Sequence, residues 1–189
     1  MGFNFFKKAG FFILVVGYLS ARAVWAEPPS GGQKVKIFNA EKGAYEEVDR
    51  IQLPDTDWEK KLSPNICIIT KGGTEHPFTG EYWNNKKHGL YKCVRCGTDL
   101  FTSDAKFESG TGWPSFFQPV APENITLSDD SSLGMNRTEL RCARCGSHLG
   151  HVFDDGPQPT GKRYCINSAS LKFIPKEKKG LPEKSPNSK

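Results

Sequence analysis

The sequence predicts a mainly β fold, with two short helices ahead of a series of antiparallel hairpins. From residue 90 onward, short runs of β-branched and aromatic residues are separated by Gly, Pro, Asn and Asp, which is typical of hairpins and not of strand–helix–strand units. The pattern Cys-x-x-Cys-Gly occurs twice, at 93–97 and 142–146. Glycine after the second cysteine suits the positive φ of a tight turn, so we expect both pairs at hairpin tips.

Local signals place the individual elements. Segments 35–38 and 45–48 flank a polar turn and predict a hairpin. The sequence Thr-Asp-Trp-Glu at 56–59 has the pattern of a capping box and predicts the start of the first helix. Ser63-Pro64 predicts the start of the second helix, and Lys-Gly-Gly at 71–73 predicts its end. Strands are expected near 89–93, 98–101, 114–120, 123–128, 136–142, 147–153, 162–168 and 170–175.

Length and composition fit one folded domain. The chain has 189 residues, of which 37% are hydrophobic and 12% aromatic, enough for a single core. Its net charge of +5 comes largely from the ends. Without the three basic residues of positions 1–26, 23 basic residues face 21 acidic ones. The folded part is therefore not strongly basic, and we expect no nucleic-acid partner.

The N-terminus has the features of an export signal. Lys7-Lys8 precedes an apolar run at 9–19 that is shorter than the ~20 residues of an ordinary membrane span, and Ala26 precedes Glu27. We predict cleavage after Ala26 and export, most simply to a bacterial periplasm. An uncleaved membrane anchor is the alternative, because Arg22 lies close to the cut. The predicted organisation is a signal peptide at 1–26, a linker at 27–33, one domain at 34–175 and a disordered tail at 176–189.

The two cysteine pairs, Cys93 with Cys96 and Cys142 with Cys145, have the spacing of a structural zinc site. Two such turns can place four sulfurs at ~2.3 Å from one ion, whereas a disulfide within one Cys-x-x-Cys closes a small strained loop. Disulfides are the alternative, since an exported chain with six cysteines is a candidate for them. The wide separation of the pairs requires the ion to join two distant hairpins.

A fifth cysteine, Cys165, follows two histidines, His148 and His151, and precedes Asn167. A thiolate is a nucleophile, and a nearby imidazole can lower its pKa or pass a proton to a departing oxygen. Asn167 can orient a substrate or a histidine. The alternative is that Cys165 is a small buried hydrophobe and that the histidines lie near it by coincidence.

The alignment of the hairpin that carries these residues decides which histidine reaches the thiol. We align Phe153 with Lys162, which sets Gly150 opposite Cys165, and a slip of one residue would set His151 there instead. The two histidines are three residues apart, so a regular strand would send them to opposite faces. We expect a bulge at Gly150 that turns both inward.

Five segments of the chain, in order, resemble the B-type methionine sulfoxide reductases. The resemblance runs from about Trp58 to Phe173 and rests on GTEHPFTGEY at 73–82, YKCVRCG at 91–97, KFESGTGWPSF at 106–116, HLGHVFDDGP at 148–157 and RYCINS at 163–168. It implies two antiparallel sheets in an open, tent-like arrangement, with the four paired cysteines as ligands of one structural zinc ion.

The resemblance also implies an activity and its residues. Cys165 would attack the sulfur of the R-epimer of methionine sulfoxide in a protein and become a sulfenic acid. His148 and His151 would activate the thiol and protonate the leaving oxygen, while Asn167 orders the pocket. Trp113 would hold the methyl group, because an aromatic face suits a polarisable sulfur-methyl group. Ordinary core packing is the alternative for Trp113.

The chain departs from the family pattern at one position. Many members carry a resolving cysteine two residues before the tryptophan, where this chain has Thr111. We hypothesise that Cys67 attacks the sulfenic acid on Cys165 and that a thioredoxin-like donor reduces the disulfide. The alternative is that Cys67 is a buried helix residue and that the donor reduces Cys165 directly.

Other functions fit the sequence less well. A zinc-stabilised β module that binds a protein without catalysis would have no use for Cys165 or His151. A disulfide oxidoreductase would need a reactive Cys-x-x-Cys at a helix N-terminus, and both pairs here are followed by glycine. We therefore expect a thiol-dependent enzyme.

Overall fold

The structure is a computed structural model that describes residues 32–176. The predicted signal peptide, most of the predicted linker and nearly all of the predicted tail lie outside the described residues. Within the described range, no helix is long and apolar enough to cross a membrane.

The described chain contains two short α-helices and eleven strands. The helices are α1 (Asp55–Glu59) and α2 (Pro64–Thr70). The strands are β1 (Lys34–Asn39), β2 (Ala44–Asp49), β3 (Gly89–Cys93), β4 (Asp99–Thr102), β5 (Lys106–Phe107), β6 (Ser115–Phe116), β7 (Ile125–Asp130), β8 (Arg137–Cys142), β9 (His148–Phe153), β10 (Arg163–Ile166) and β11 (Leu171–Pro175).

The strands form antiparallel sheets, which confirms the predicted mainly β fold with two N-terminal helices. One sheet has six strands in the order β5-β6-β10-β9-β8-β7, a second has three in the order β11-β3-β4, and the predicted N-terminal hairpin β1-β2 forms a two-stranded sheet. The strand predicted at 114–120 is confined to β6, and β5 was not predicted. Both are two-residue strands, too short to leave a clear alternation in the sequence.

The helix boundaries agree with the sequence in part. The capping box predicted at Thr56 is wrong, because α1 already begins at Asp55 and no side chain caps it. The carbonyl of Pro54 accepts instead from the backbone N–H groups of Asp57 and Trp58. Helix α2 begins after Ser63 as predicted, although the serine makes no capping bond.

The core lies between the six-stranded and three-stranded sheets. Phe101 of β4 and Phe116 of β6 stack with ring centroids 4.3 Å apart, and Tyr91 of β3 meets Phe116 edge-on at 5.0 Å. All three rings are fully buried. Buried aliphatic residues surround them, namely Leu100, Leu140, Leu149, Ile166 and Leu171. This apolar layer fixes the strands that carry the site residues.

The pairing of β9 with β10 corrects one prediction. Phe153 lies opposite Arg163 and not opposite Lys162, so the alignment we favoured is wrong by one residue. The slipped alignment is the observed one and places His151 directly opposite Cys165. Because side chains alternate along a strand, that single step decides which residue shares a face with the thiol.

The predicted bulge in β9 is present. Along β8, Leu140 pairs with Gly150 while Arg141 pairs with His148, so one residue of β9 is extra at this point. The rings of His148 and His151 consequently lie on the same side, with centroids 5.4 Å apart. Glycine is required here, because a Cβ at Gly150 would overlap the carbonyl oxygen of Cys165.

Residues ahead of β3 contact both cysteine turns from outside. The backbone N–H of Ile51 donates to the carbonyl of Arg144 at 2.8 Å. The guanidinium of Arg95 lies over the Trp58 ring at 5.3 Å and donates to the Thr70 hydroxyl at 2.9 Å. Each arginine is a middle residue of a Cys-x-x-Cys turn. The N-terminal segment therefore contacts both turns.

The N-terminal hairpin is also fixed to the core through one buried amide. The Asn124 side chain accepts from the backbone N–H of Phe38 at 2.7 Å and donates to the carbonyls of Phe38 at 2.8 Å and Asp99 at 2.6 Å. Asn124 is fully buried. One side chain thereby satisfies three backbone groups of β1 and β4.

Candidate active site

A cleft of about 130 Å³ beside β10 contains most of the predicted site residues. Its lining includes Trp113, His151, Cys165 and Asn167, together with Arg137. His148 does not line this cleft and instead lines an adjoining depression that His151 also lines. The fold thus brings together a thiol, an imidazole, an amide and an indole from three separate segments of the chain.

Cys165 lies at the centre of this arrangement because β10 is flanked on both sides. It faces His151 on β9 and Ser115 on β6. Burial raises the pKa of the Cys165 thiol, while the neighbouring Arg163 guanidinium and the Thr111 hydroxyl act in the opposite direction. The resting group is therefore a thiol, and its ionisation depends on these two neighbours.

Arg163 is itself held in a fixed position. Its guanidinium donates two hydrogen bonds of 2.8 Å to the carboxylate of Asp155. Such a bidentate pair fixes the plane of the guanidinium as well as its distance. The positive charge beside Cys165 is therefore positioned by the loop that joins β9 to β10.

Each histidine has a carboxylate partner. His151 Nε2 lies 2.8 Å from Asp130 Oδ2, and His148 Nδ1 lies 2.6 Å from Glu139 Oε1. Burial lowers the pKa of His148, and the contact with Glu139 offsets part of this effect. His148 is therefore neutral over most of the physiological range.

One segment ahead of β3 orients both Trp113 and Asn167. The carbonyl of Glu75 accepts from Trp113 Nε1 at 3.1 Å, and the Glu75 backbone N–H donates to Asn167 Oδ1 at 3.1 Å. The Glu75 carboxylate accepts from the backbone N–H groups of Ser168 and Ala169 at 2.6 and 3.0 Å. Glu75 thereby joins the two walls of the cleft.

Several of these partners had no predicted role. Glu75 lies within a quoted family motif, and Glu139 is a charged residue within a strand next to a core leucine. Glu75 and Glu139 could therefore have been recognised from the sequence. Asp130 and Arg137 could not, because charged residues are common near the exposed turns of hairpins.

Cys67 lies away from the cleft. It is 3% exposed on α2, and its sulfur lies 3.9 Å from the carbonyl of Leu62. It lines a different depression, beside Pro64 and Ile68. The structure therefore does not bring Cys67 into contact with Cys165.

The other four cysteines form a compact cluster at the tips of the β3–β4 and β8–β9 hairpins, as predicted. Cys93 Sγ lies 3.7 Å from Cys145 Sγ, and Cys96 Sγ lies 3.5 Å from Cys142 Sγ. All four sulfurs are within 4.8 Å of one another. Tetrahedral coordination at ~2.3 Å corresponds to sulfur separations of about 3.8 Å, so the donor set fits a metal ion.

The disulfide alternative is not supported by this geometry. Among residues 32–176, which include every cysteine of the chain, none is in a disulfide. The glycines that follow each pair have the expected positive φ, 75° at Gly97 and 68° at Gly146. The sharp turns that bring the sulfurs together therefore form as the sequence indicated.

Known proteins of similar sequence belong to the family that the site residues indicate. Residues 62–175 match the family model of the SelR domain. A Synechococcus protein named "Peptide methionine sulfoxide reductase MsrB" is 59% identical over 126 residues, which are 66% of this chain and 93% of the relative. The chain belongs to the B-type methionine sulfoxide reductase family.

Further members of the family are similarly close. The MsrB proteins of Agrobacterium fabrum and Pseudomonas aeruginosa are 54% and 55% identical over 127 and 133 residues. These alignments cover 67% and 69% of this chain and 94% and 99% of the relatives. Family membership confirms the expectation of a methionine sulfoxide reductase enzyme and disfavours the binding module.

The ionisation of Cys165 can be measured directly. We expect iodoacetamide to alkylate it with a pH midpoint above about 8.5, the ordinary value of a thiol, because burial raises its pKa. Arg163→Gln should move the midpoint higher, since it removes the charge that favours the thiolate. Peptide mass spectrometry would follow the Cys165 peptide alone. A wild-type midpoint at or below 8.5, or no change in the variant relative to an exposed control such as Lys172→Gln, would contradict this view.

Proposed function

We propose that this protein reduces the R-epimer of methionine sulfoxide in proteins to methionine, with Cys165 as the nucleophile. The observation that carries the proposal is the placement of Cys165 opposite His151 in a cleft that also contains Trp113 and Asn167. The preference for the R-epimer follows from the family resemblance. The relatives named above support the reaction class, since each is named as a peptide methionine sulfoxide reductase.

The reaction requires a two-electron transfer between two sulfur atoms. The Cys165 thiolate attacks the sulfoxide sulfur and forms an S–S bond, while the sulfoxide oxygen takes up two protons and leaves as water. Water then adds to the Cys165 sulfur and the S–S bond breaks, which releases one proton and methionine with its sulfur reduced by two electrons. Cys165 is left as a sulfenic acid, oxidised by two electrons. In the net change, methionine sulfoxide loses one oxygen atom and the cysteine gains one.

His151 is the residue best placed to supply the proton. It lies directly across from Cys165 and lines the same cleft, whereas His148 does not line that cleft. Trp113 offers an apolar wall for the methyl group, since its indole N–H is already occupied by the Glu75 carbonyl. Asn167 is 3% exposed and bonded to two backbone segments, which suits a residue that shapes the pocket.

Epimer selectivity is the direct test of this function. Wild-type protein with a dithiol reductant should reduce a peptide that carries methionine R-sulfoxide and leave the S-sulfoxide unreduced. Cys165→Ser should lose the activity entirely, because a hydroxyl oxygen cannot take up the two-electron oxidation that turns the thiol into a sulfenic acid. The exposed Asn84→Ala serves as a matched control and should keep wild-type rates. Equal rates on both epimers, or an active serine variant, would refute the proposal.

We further propose that Cys67 resolves the sulfenic acid and that a thioredoxin-like protein reduces the resulting disulfide. Thr111 occupies the usual position of a resolving cysteine beside Cys165 and cannot form a disulfide. Helix α2 carries Cys67 and is followed along the chain by Gly73. The Gly73 carbonyl accepts from Asn167 Nδ2 at 3.4 Å, which connects this segment to the site. Cys67 is buried, so α2 must move for the bridge to form.

One turnover in the absence of reductant distinguishes the two routes of regeneration. We expect sulfenic acid plus the Cys67 thiol to give a Cys67–Cys165 disulfide and one water. Mass spectrometry of the digested protein should detect the bridge in wild type, and Cys67→Ser should retain a trappable sulfenic acid. A persistent sulfenic acid in wild type would instead support direct reduction by the external donor.

We also propose that the four clustered cysteines hold one structural zinc ion. Zinc would supply no redox chemistry and would join the β3–β4 hairpin to the β8–β9 hairpin. Cys142→Ser should lower the zinc content from about one ion per chain and destabilise the fold by several kcal/mol. Cys67→Ser should keep the ion. Metal analysis and thermal unfolding measure both effects, and pure protein without zinc would overturn the proposal.

A further inference from the structure

Two chains of arginine, carboxylate and histidine run side by side on the β7–β8 hairpin and end on β9. In the first, Asp130 Oδ2 accepts from Arg137 Nη2 at 2.7 Å and lies 2.8 Å from His151 Nε2. In the second, Glu139 accepts from Arg141 Nε at 2.8 Å and lies 2.6 Å from His148 Nδ1. An ionised carboxylate can only accept a hydrogen bond. Each histidine therefore carries its proton on the ring nitrogen that contacts its carboxylate.

The two chains hold opposite ring nitrogens. His151 is bound through Nε2, which leaves Nδ1 as the nitrogen that can meet a substrate. His148 is bound through Nδ1, which leaves Nε2. A neutral imidazole has one N–H and one acceptor, and the partner of one nitrogen fixes the state of the other.

The two free nitrogens differ in access. The His151 side chain is 12% exposed and lines the cleft with Cys165 and Arg137. The His148 side chain is 2% exposed, and its Nε2 is buried without a hydrogen-bond partner among the described residues. Only the first chain therefore ends on a nitrogen within reach of the cleft.

We propose that Asp130 is a positioning residue of the reaction, which holds His151 with its proton on Nε2 and leaves its Nδ1 free to take the Cys165 thiol proton and pass it to the sulfoxide oxygen, and that Arg137 positions Asp130. Glu139 and Arg141 hold His148 in the opposite tautomer, as a fixed support for the His151 ring. This inference rests on the proposed function for the role of Nδ1, whereas the tautomers are a property of the resting protein.

The Asp130 carboxylate cannot be replaced by an amide without a loss. Its Oδ1 accepts from the backbone N–H of Ser132 at 2.9 Å, and its Oδ2 meets both Arg137 and His151. Asparagine has one oxygen and one NH₂ group, so it cannot accept from all three donors. Either the backbone N–H of Ser132 or the arginine and the histidine must lose their acceptor.

The charges that surround His151 also depend on this residue. The groups that face the ring are Asp130 on β7, Arg137 and Glu139 on β8, His148 on β9 and Cys165 on β10. Asp130 is the carboxylate in direct contact, so its negative charge lies beside the ring while Nδ1 carries the proton from Cys165 to the sulfoxide. Without that charge, proton delivery to the sulfoxide should be slower.

The test is Asp130→Asn, with the neighbouring exposed Asp129→Asn as the matched control. In wild type, ¹⁵N NMR of the histidine rings should show His151 protonated on Nε2 and His148 on Nδ1. Asp130→Asn should reduce the Nε2–H population of His151 and lower kcat/KM at least about tenfold. Asp130→Glu should recover part of the rate and part of the Nε2–H population.

A second variant, Glu139→Gln, tests the hydrogen-bonded chain that ends on His148 separately from the one that ends on His151. It should disturb the His148 tautomer, leave the His151 tautomer unchanged and lower kcat/KM less than Asp130→Asn. An unchanged His151 tautomer or an unchanged kcat/KM in Asp130→Asn would overturn the inference, as would equal losses of kcat/KM in both variants. If wild type reduced neither epimer, the proposed function would fail, while the NMR result on the resting protein would still decide the tautomers.

Discussion

The close contact between the backbone of Gly150 and Cys165 sets the geometry of the candidate site. The extra residue in β9 at this point turns both histidines to one side, and the missing side chain at Gly150 lets β9 and β10 approach. A larger residue would separate the strands and move His151 away from the thiol. The chemistry therefore depends on one irregular step in an otherwise regular sheet.

Two kinds of force hold that step in place. Stacked aromatic rings and buried aliphatic side chains fix the two sheets against each other, and the cysteine cluster joins hairpins from both sheets at one end. Polar partners then orient the individual side chains: Glu75 orients Trp113 and Asn167, Asp155 orients Arg163, and a carboxylate on the β7–β8 hairpin holds each histidine. Each layer depends on the one before it, since side chains can be oriented only on strands that are already fixed.

The sequence predicted the parts of this structure that have strong local signals. The hairpins, the two helices and the cysteine turns follow from residue type and short spacing. The alignment of β9 with β10 did not, because the loop between them is long and either of two registers kept the histidines near Cys165. The partners Asp130 and Arg137 were also missed, since a hydrogen bond between distant strands leaves no pattern in a single sequence.

The contacts of the N-terminal segment with Arg95 and Arg144 show where the functional unit begins. The family match starts at residue 62, yet the backbone of Ile51 and the ring of Trp58 already contact the two cysteine turns. A fragment cut at the family boundary would expose the backs of both turns to solvent and leave the buried amide of Asn124 without Phe38. For this protein, the shortest fragment that keeps these contacts therefore starts near Lys34, about thirty residues before the family match begins.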